Sequence, residues 1–160
     1  GDALAIATMK KKKFGRMDFK KLHPAGSLGA QLKTVEDIMT TGKKIPFVNE
    51  NVQTSKALKI ISEKKLGILI VRNKNNKTIG VITDGQIRRS SQKKINFLSL
   101  PVKKIMTKKP LYIDKNELAA KALSVMNSNK ITSLLVVNKK KPLITVGLIH
   151  MHSILQSNIS

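Results

Sequence analysis

Apolar and polar positions follow one another along this chain in two matching stretches, about 67 residues apart. In the first, Ala57, Leu58 and Ile61 fall on one face at helical spacing, which predicts a helix over residues 54–65 with Thr54 as its N-cap. The apolar run 66–72 predicts a buried strand, the Asn- and Lys-rich stretch 73–77 a hairpin loop, residues 78–83 a second strand, and 84–91 a short helix. A short amphipathic segment at 35–39 and an extended bridge at 44–48, through Pro46, lead into it. The second stretch predicts the same course: helix 117–127, strand 133–137, loop 138–142, strand 144–150 and a helix from Met151.

The match extends to individual residues. Ile38-Met39-Thr40 recurs as Ile105-Met106-Thr107, Ala57-Leu58 as Ala122-Leu123, Leu69-Ile70-Val71 as Leu134-Leu135-Val136, and Gly80-Val81-Ile82 as Gly147-Leu148-Ile149. The offset is 67 at both ends and 65 in the middle, so a two-residue difference opens and closes within each copy. Such a repeat means one structural unit used twice. Two units that each leave an apolar face open are expected to close that face on one another. The order strand, helix, strand, strand, helix, given twice, predicts an α/β (α+β) fold class.

Upstream of the repeats, residues 2–13 predict a helix. Asp2 serves as N-cap, Ala3, Leu4, Ile6, Ala7 and Met9 form an apolar side, and Lys10 to Lys13 suit the negative end of the dipole. Pro24, Gly26 and Gly29 then mark a turn-rich loop. The chain starts at Gly1-Asp2 without Met, and we read it as a piece of something longer.

Composition narrows the function classes. A hydrophobic share of 41% with only 3% aromatic and no Trp means a core of Ile, Leu, Val, Met and Ala. Cysteine is absent, which removes disulfides, thiolate nucleophiles and Cys-based zinc sites. No apolar run approaches the roughly 18 residues of a membrane span, so no membrane partner is expected. The net charge of +22 invites a nucleic-acid reading. Its make-up argues otherwise: only Arg16, Arg72, Arg88 and Arg89 among the 31 basic residues are arginine. Base reading favours bidentate Arg and stacking aromatics, both scarce here, so the lysines are read as solvated surface and no specific nucleic acid is expected.

The segments Asp37-Ile38-Met39-Thr40 and Lys104-Ile105-Met106-Thr107, with the step from Gly80 to Thr83, resemble the tandem cystathionine β-synthase (CBS) domain pair. That resemblance implies a flat disc of pseudo-two-fold symmetry with two clefts between the repeats. A helix beginning Gly1-Asp2-Ala3-Leu4-Ala5, then His23-Pro24-Ala25-Gly26-Ser27-Leu28-Gly29, then a CBS pair is similar to the D-arabinose 5-phosphate isomerases. Further agreement lies in Ile45-Pro46, Thr83-Asp84-Gly85 with Arg88-Arg89, Lys130-Ile131-Thr132-Ser133 and His150-Met151-His152. The resemblance divides the chain into residues 1–34, the end of a truncated α/β sugar isomerase (SIS) domain; 35–91, the first CBS repeat; 92–100, a linker; and 101–160, the second repeat.

What the resemblance implies is a cytoplasmic, tetrameric aldose–ketose isomerase acting on a sugar phosphate. It would interconvert D-ribulose 5-phosphate and D-arabinose 5-phosphate for 3-deoxy-D-manno-octulosonate and lipopolysaccharide synthesis. Proton transfer through an enediol needs a base near neutral pKa, and His23 matches the family's catalytic loop histidine. Two departures stand: Ala25 replaces a glycine of the loop, and Ala30-Gln31 a basic pair. No cofactor is required by this chemistry. The 160-residue chain alone is expected to be inactive, because it lacks a phosphate-binding Ser/Thr loop and acidic partners for the base.

In nucleotide-binding CBS repeats the glycine strand leads into Gly-x-x-Ser/Thr-x-x-Asp, the hydroxyl for phosphate and the carboxylate for ribose. Thr83 and Gln86 stand at those positions in the first repeat, His150 and Ser153 in the second. Both ribose carboxylates are therefore replaced, which removes a charge-assisted hydrogen bond from each site. Thr83, Asp84, Gln86, Arg88, His150 and Ser153 are the candidate cleft residues for a nucleotide or nucleotide-sugar effector. His150 and His152 are too close in sequence, and too poor in companions, for a metal site; none is expected. The alternative reading is a free-standing CBS pair that senses such a ligand and regulates a partner.

Overall fold

The computed structural model describes residues 27–93 and 96–159. The expected helix 2–13 and the loop bearing His23 lie outside the described residues. The described part opens with α1 (Ser27–Gln31) and α2 (Val35–Ile38). Asp37 holds the start of α2: its Oδ2 accepts from Thr34 N at 2.8 Å and Thr34 Oγ1 at 3.0 Å. The equivalent segment of the second repeat, Val102–Lys104, is a 3₁₀ turn instead. Pro101 and Lys104 replace Thr34 and Asp37 there, so neither half of that cap exists.

The first repeat consists of β1 (Phe47–Asn49), α3 (Thr54–Lys64), β2 (Ile68–Arg72), β3 (Thr78–Thr83) and α4 (Asp84–Lys93). The second adds a short β4 (Thr107–Lys108), then β5 (Tyr112–Asp114), α5 (Ala119–Asn129), β6 (Ser133–Asn138), β7 (Lys141–His150) and α6 (Met151–Gln156). β1 runs parallel to β2 and β5 parallel to β6, which is why a helix must cross over between them. The hairpins β2–β3 and β6–β7 are antiparallel.

Each repeat borrows the segment that leads into the other. β4 pairs with β3 through Gly80↔Lys108 and Val81↔Thr107. Reciprocally, Thr40 bridges to Leu148 of β7, with N–H···O distances of 2.8 and 3.0 Å. Val102 N donates to Val52 O and Val35 N to Glu117 O, both at 2.8 Å. Val102 and Ile105 are consequently buried among Val48, Ala57, Ile61 and Leu69, while Val35 is buried among Ile113, Ala119, Ala122 and Leu134. A third core of Ile68, Ile70, Val81, Leu135 and Leu148 joins the two sheets. The Oγ1 atoms of Thr78 and Thr145, equivalent residues of the two repeats, meet at 2.6 Å, so the pseudo-two-fold axis passes between them.

Gly80 and Gly147 permit the exchange. A Cβ on Gly80 would lie 2.6 Å from Met106 Sδ and 2.8 Å from the Thr107 carbonyl. On Gly147 it would lie 3.1 Å from the Thr40 carbonyl and crowd Met39.

Two expectations change. Thr54 is the first residue of α3 and Gln53 its N-cap. Thr54 is fully buried, and its N and Oγ1 both donate to Leu100 O, at 2.9 and 2.8 Å. The hydroxyl satisfies the linker in place of its own helix. In the second hairpin the strand starts at Lys141 rather than Ile144. The register jumps from Asn138↔Lys141 to Val137↔Thr145, so Pro142, Leu143 and Ile144 bulge out of the ladder, where Pro142 needs no N–H.

Candidate functional site

Thr83 ends β3 and His150 ends β7, at the same step of the two repeats. Each starts the next helix. Thr83 Oγ1 accepts from Gln86 N at 3.3 Å, and His150 Nδ1 accepts from His152 N at 3.0 Å. A hydroxyl in one copy and an imidazole in the other thus do the same capping work. With Nδ1 accepting, the neutral His150 ring carries its proton on Nε2. Burial, aided by the proximity of His152, holds His150 below the ordinary histidine range, so it is neutral at pH 7.

Both side chains line one cavity of ≈ 930 Å³. Its walls come from equivalent places in the two repeats: the loop after α3, from Lys65 to Ile68, and the loop after α5, from Lys130 to Ser133. Leu135 and Val81 form part of its floor, so it opens beside the core that joins the sheets. Asp84 and Gly85 contribute from the first turn of α4, and Lys109 to Leu111 from the stretch after β4. Gly67 has φ +70°, and a Cβ there would stand 3.4 Å from Asp84 Oδ2, which places the carboxylate over this loop. A Cβ on Gly85 would meet Arg89 Nη1 at 3.4 Å, so the guanidinium lies along the same turn of α4. Lys65, Arg89, Lys109 and Lys130 face one carboxylate, Asp84, making the cavity basic.

Of the six candidate cleft residues, the cavity brings together Thr83, Asp84 and His150. Gln86, Arg88 and Ser153 do not line it. Gln86 Nε2 donates to the Ile105 carbonyl and so ties α4 to the second repeat's leading segment, while its Oε1 is buried without a partner. Arg88 is exposed on α4, and its neighbour Arg89 lines the cavity instead. Ser153 is half-buried on α6, where its carbonyl accepts from Ser157 Oγ at 3.1 Å. The lysines were the unread signal: Lys65 and Lys130 each follow the repeat helix at the 65-residue offset. Among the described residues no group of three or more His, Asp or Glu could hold a metal ion. No helix among them is long and apolar enough to cross a membrane.

Comparison with known proteins agrees with this architecture. The CBS domain model matches residues 35–93 and again 102–159. Arabinose 5-phosphate isomerase KdsD of Yersinia pestis is 36% identical over 160 residues, covering 99% of this chain and 48% of that protein. KdsD of Francisella tularensis is 39% identical over 157 residues, covering 98% of this chain and 47% of that protein. The chain therefore spans about half the length of the curated relatives it matches. Among solved structures, CBSX2 in complex with AMP superposes with a TM-score of 0.67 at 22% identity, over 79% of this chain and 96% of that one. A CBS domain protein of Pyrobaculum aerophilum complexed with AMP gives 0.66 at 15% identity, over 75% of this chain and 88% of that one. Two matched copies, locked together by exchanged leading segments, make this chain a member of the CBS-domain family, corresponding to the CBS-containing part of KdsD-like arabinose 5-phosphate isomerases.

Proposed function

We propose that the chain is the regulatory and oligomerising portion of a cytoplasmic sugar-phosphate isomerase that interconverts D-ribulose 5-phosphate and D-arabinose 5-phosphate for lipopolysaccharide synthesis. The observation that carries this reading is the reach of the likeness: alignment with KdsD takes in nearly the whole chain, while the CBS match begins only at Val35. Residues 1–34 are then the end of the sugar isomerase domain, and His23 is its general base. The CBS pair behind it senses a nucleotide or nucleotide-sugar in the basic cavity and helps to assemble a homotetramer. AMP in two neighbours of the same fold supports that effector class.

The test is made in the isomerase that carries this segment. His23→Ala should lower turnover of D-ribulose 5-phosphate by about two decades or more, the scale of a lost general base, while the 160-residue chain alone shows none. Turnover close to that of the unsubstituted enzyme removes His23 from the chemistry. One observation favours the second reading, a free-standing regulatory pair: this fold covers 96% of the solved CBSX2 chain. Under that reading residues 1–34 pack against the disc, and neither the chain nor its parent isomerises pentose phosphates.

A further inference from the structure

We propose that the tips of the two β-hairpins form a docking surface for an anionic lipid bilayer, with Leu143 as its apolar contact. Such a contact is with the bilayer surface and needs no spanning segment, the only membrane partner that a lack of long apolar runs excludes. It is independent of the isomerase and effector readings. The β2–β3 tip is Asn73-Lys74-Asn75-Asn76-Lys77, and the β6–β7 tip is Asn138-Lys139-Lys140-Lys141-Pro142-Leu143-Ile144. Thr78 and Thr145, which follow the tips, meet at 2.6 Å on the pseudo-two-fold axis, so both tips project from one end of the molecule. The cavity lies at the opposite ends of the same strands, where Ile68, Thr83, Ser133 and His150 line it. Lys74, Lys77, Lys139, Lys140 and Lys141 are all exposed, and neither tip contains an acidic residue. None of these lysines forms an ion pair with a described residue, whereas Lys115 and Lys121 are paired with Glu36 and Glu117.

Both loops satisfy their own backbone. Asn73 Oδ1 accepts from Asn75 N at 2.9 Å and Lys77 N at 3.0 Å, and Asn73 N donates to Lys77 O at 2.9 Å. In the second tip Asn138 Oδ1 accepts from Lys140 N at 3.1 Å, and Asp114 Oδ2 from Lys139 N at 2.7 Å. The ammonium groups are thus carried on ordered loops, which lose little freedom on binding. The second hairpin is two residues longer than the first, and its bulge of Pro142, Leu143 and Ile144 takes up the added length. Leu143 is left 54% exposed beside three consecutive lysines, where the first tip has no apolar residue.

Each lysine held near an anionic bilayer raises affinity about fivefold, and an apolar side chain beside it enters the headgroup boundary. A protein partner fits less well, because stable interfaces take about 800 Å² per side and are depleted in lysine. A nucleic-acid duplex would use the lysines but offers Leu143 nothing. A second copy of the chain would set like charges against each other. The competing account is solvation alone: lysines at sheet margins discourage strand pairing, and a single exposed leucine is common.

The experiment is co-sedimentation of the chain with phosphatidylcholine vesicles, with and without phosphatidylglycerol, at low and at physiological salt. The chain should bind the anionic vesicles only, and more weakly as salt rises. The triple variant Lys139→Gln, Lys140→Gln, Lys141→Gln should weaken binding by about two decades. The matched triple Lys56→Gln, Lys59→Gln, Lys121→Gln removes the same charge from exposed helix positions and should weaken it less than about threefold. Leu143→Ser should cost about tenfold in affinity. Leu143→Trp gives a chain without Trp a single reporter, whose emission should shift to the blue on anionic vesicles. All these positions are exposed, so melting temperatures should not move. Equal losses in the two triple variants reduce the patch to diffuse surface charge and overturn the docking site. An unshifted emission, equal binding to plain phosphatidylcholine, or no vesicle binding at all overturns it too. So does tip-dependent binding to duplex DNA that exceeds binding to the vesicles. Each of these outcomes leaves the isomerase reading intact.

Discussion

At the residue scale, His150 and Thr83 show one position serving two masters. Both end a strand, cap the next helix and line the cavity, but only the imidazole titrates. Because the folded pKa of His150 is depressed by burial, the folded state resists taking up a proton that the unfolded chain accepts near pH 6.5. Its contribution to stability is complete above that value and is lost as pH falls through the lowered pKa. His150→Thr puts the first repeat's solution into the second, replacing the capping Nδ1 by a hydroxyl oxygen and removing the titration. Melting temperatures followed from pH 7.5 to about 4.5 should fall less steeply in that variant than in the parent chain. Equal slopes would mean that His150 does not contribute. Asp114 titrates in a lower window. Its carboxylate accepts from Asn116 N at 2.8 Å and Lys139 N at 2.7 Å; the Asn116 bond, then the Lys139 bond and the nearby lysine charges, hold it below its usual 3.8 although desolvation pushes the other way.

At the scale of elements, the close approach at Gly80 and Gly147 decides whether the leading segments dock. Gly80→Ala would drive a methyl group against a backbone carbonyl that β-pairing has fixed in place. We expect a loss of about 1–3 kcal/mol, the range for overpacking a tight core, with Gly147→Ala less costly because Met39 is the more mobile obstacle. Urea melts of the two variants check this order. The alternation of apolar and polar positions revealed these elements well: residues 78–83 were expected and observed as a strand, and the helices of the two repeats shifted by only a few positions. The patterning could not reveal which repeat each leading segment covers, since Val35 and Val102 look apolar whichever core receives them. Nor could it show that Gln86 is occupied by the Ile105 carbonyl, because that bond exists only once α4 and the exchanged segment meet. Thr54 misled for a related reason: its sequence position says N-cap, while its tertiary partner, Leu100, overrides the local rule.

At the scale of the whole molecule, the two repeats are mutually incomplete. Val102 and Ile105 fill the first core, and Val35 the second. Each fully buried residue of this kind is worth about 1.5–3 kcal/mol, a large part of what holds a small unit together. Cutting the chain within residues 93–96 should therefore yield two pieces that are each largely unfolded by circular dichroism and that regain helical signal when mixed. Independent folding of either piece would show that the exchange is decorative. The cavity follows from the same arrangement, since neither repeat alone supplies both of its lysine-bearing loops. That is also why the basic site was harder to read than the fold: Lys65 and Lys130 become neighbours of one space only through a symmetry axis.

The tie between Lys33 and the second repeat has a mechanical side. Ala119 N donates to Lys33 O at 2.9 Å, Glu36 N to Lys115 O at 3.0 Å, and the Lys115–Glu36 ion pair closes at 2.9 Å. A pull exerted on the backbone at Leu32 is consequently borne by α5, far along the chain, before β1 feels any of it. The repeat pair hangs from its distal half.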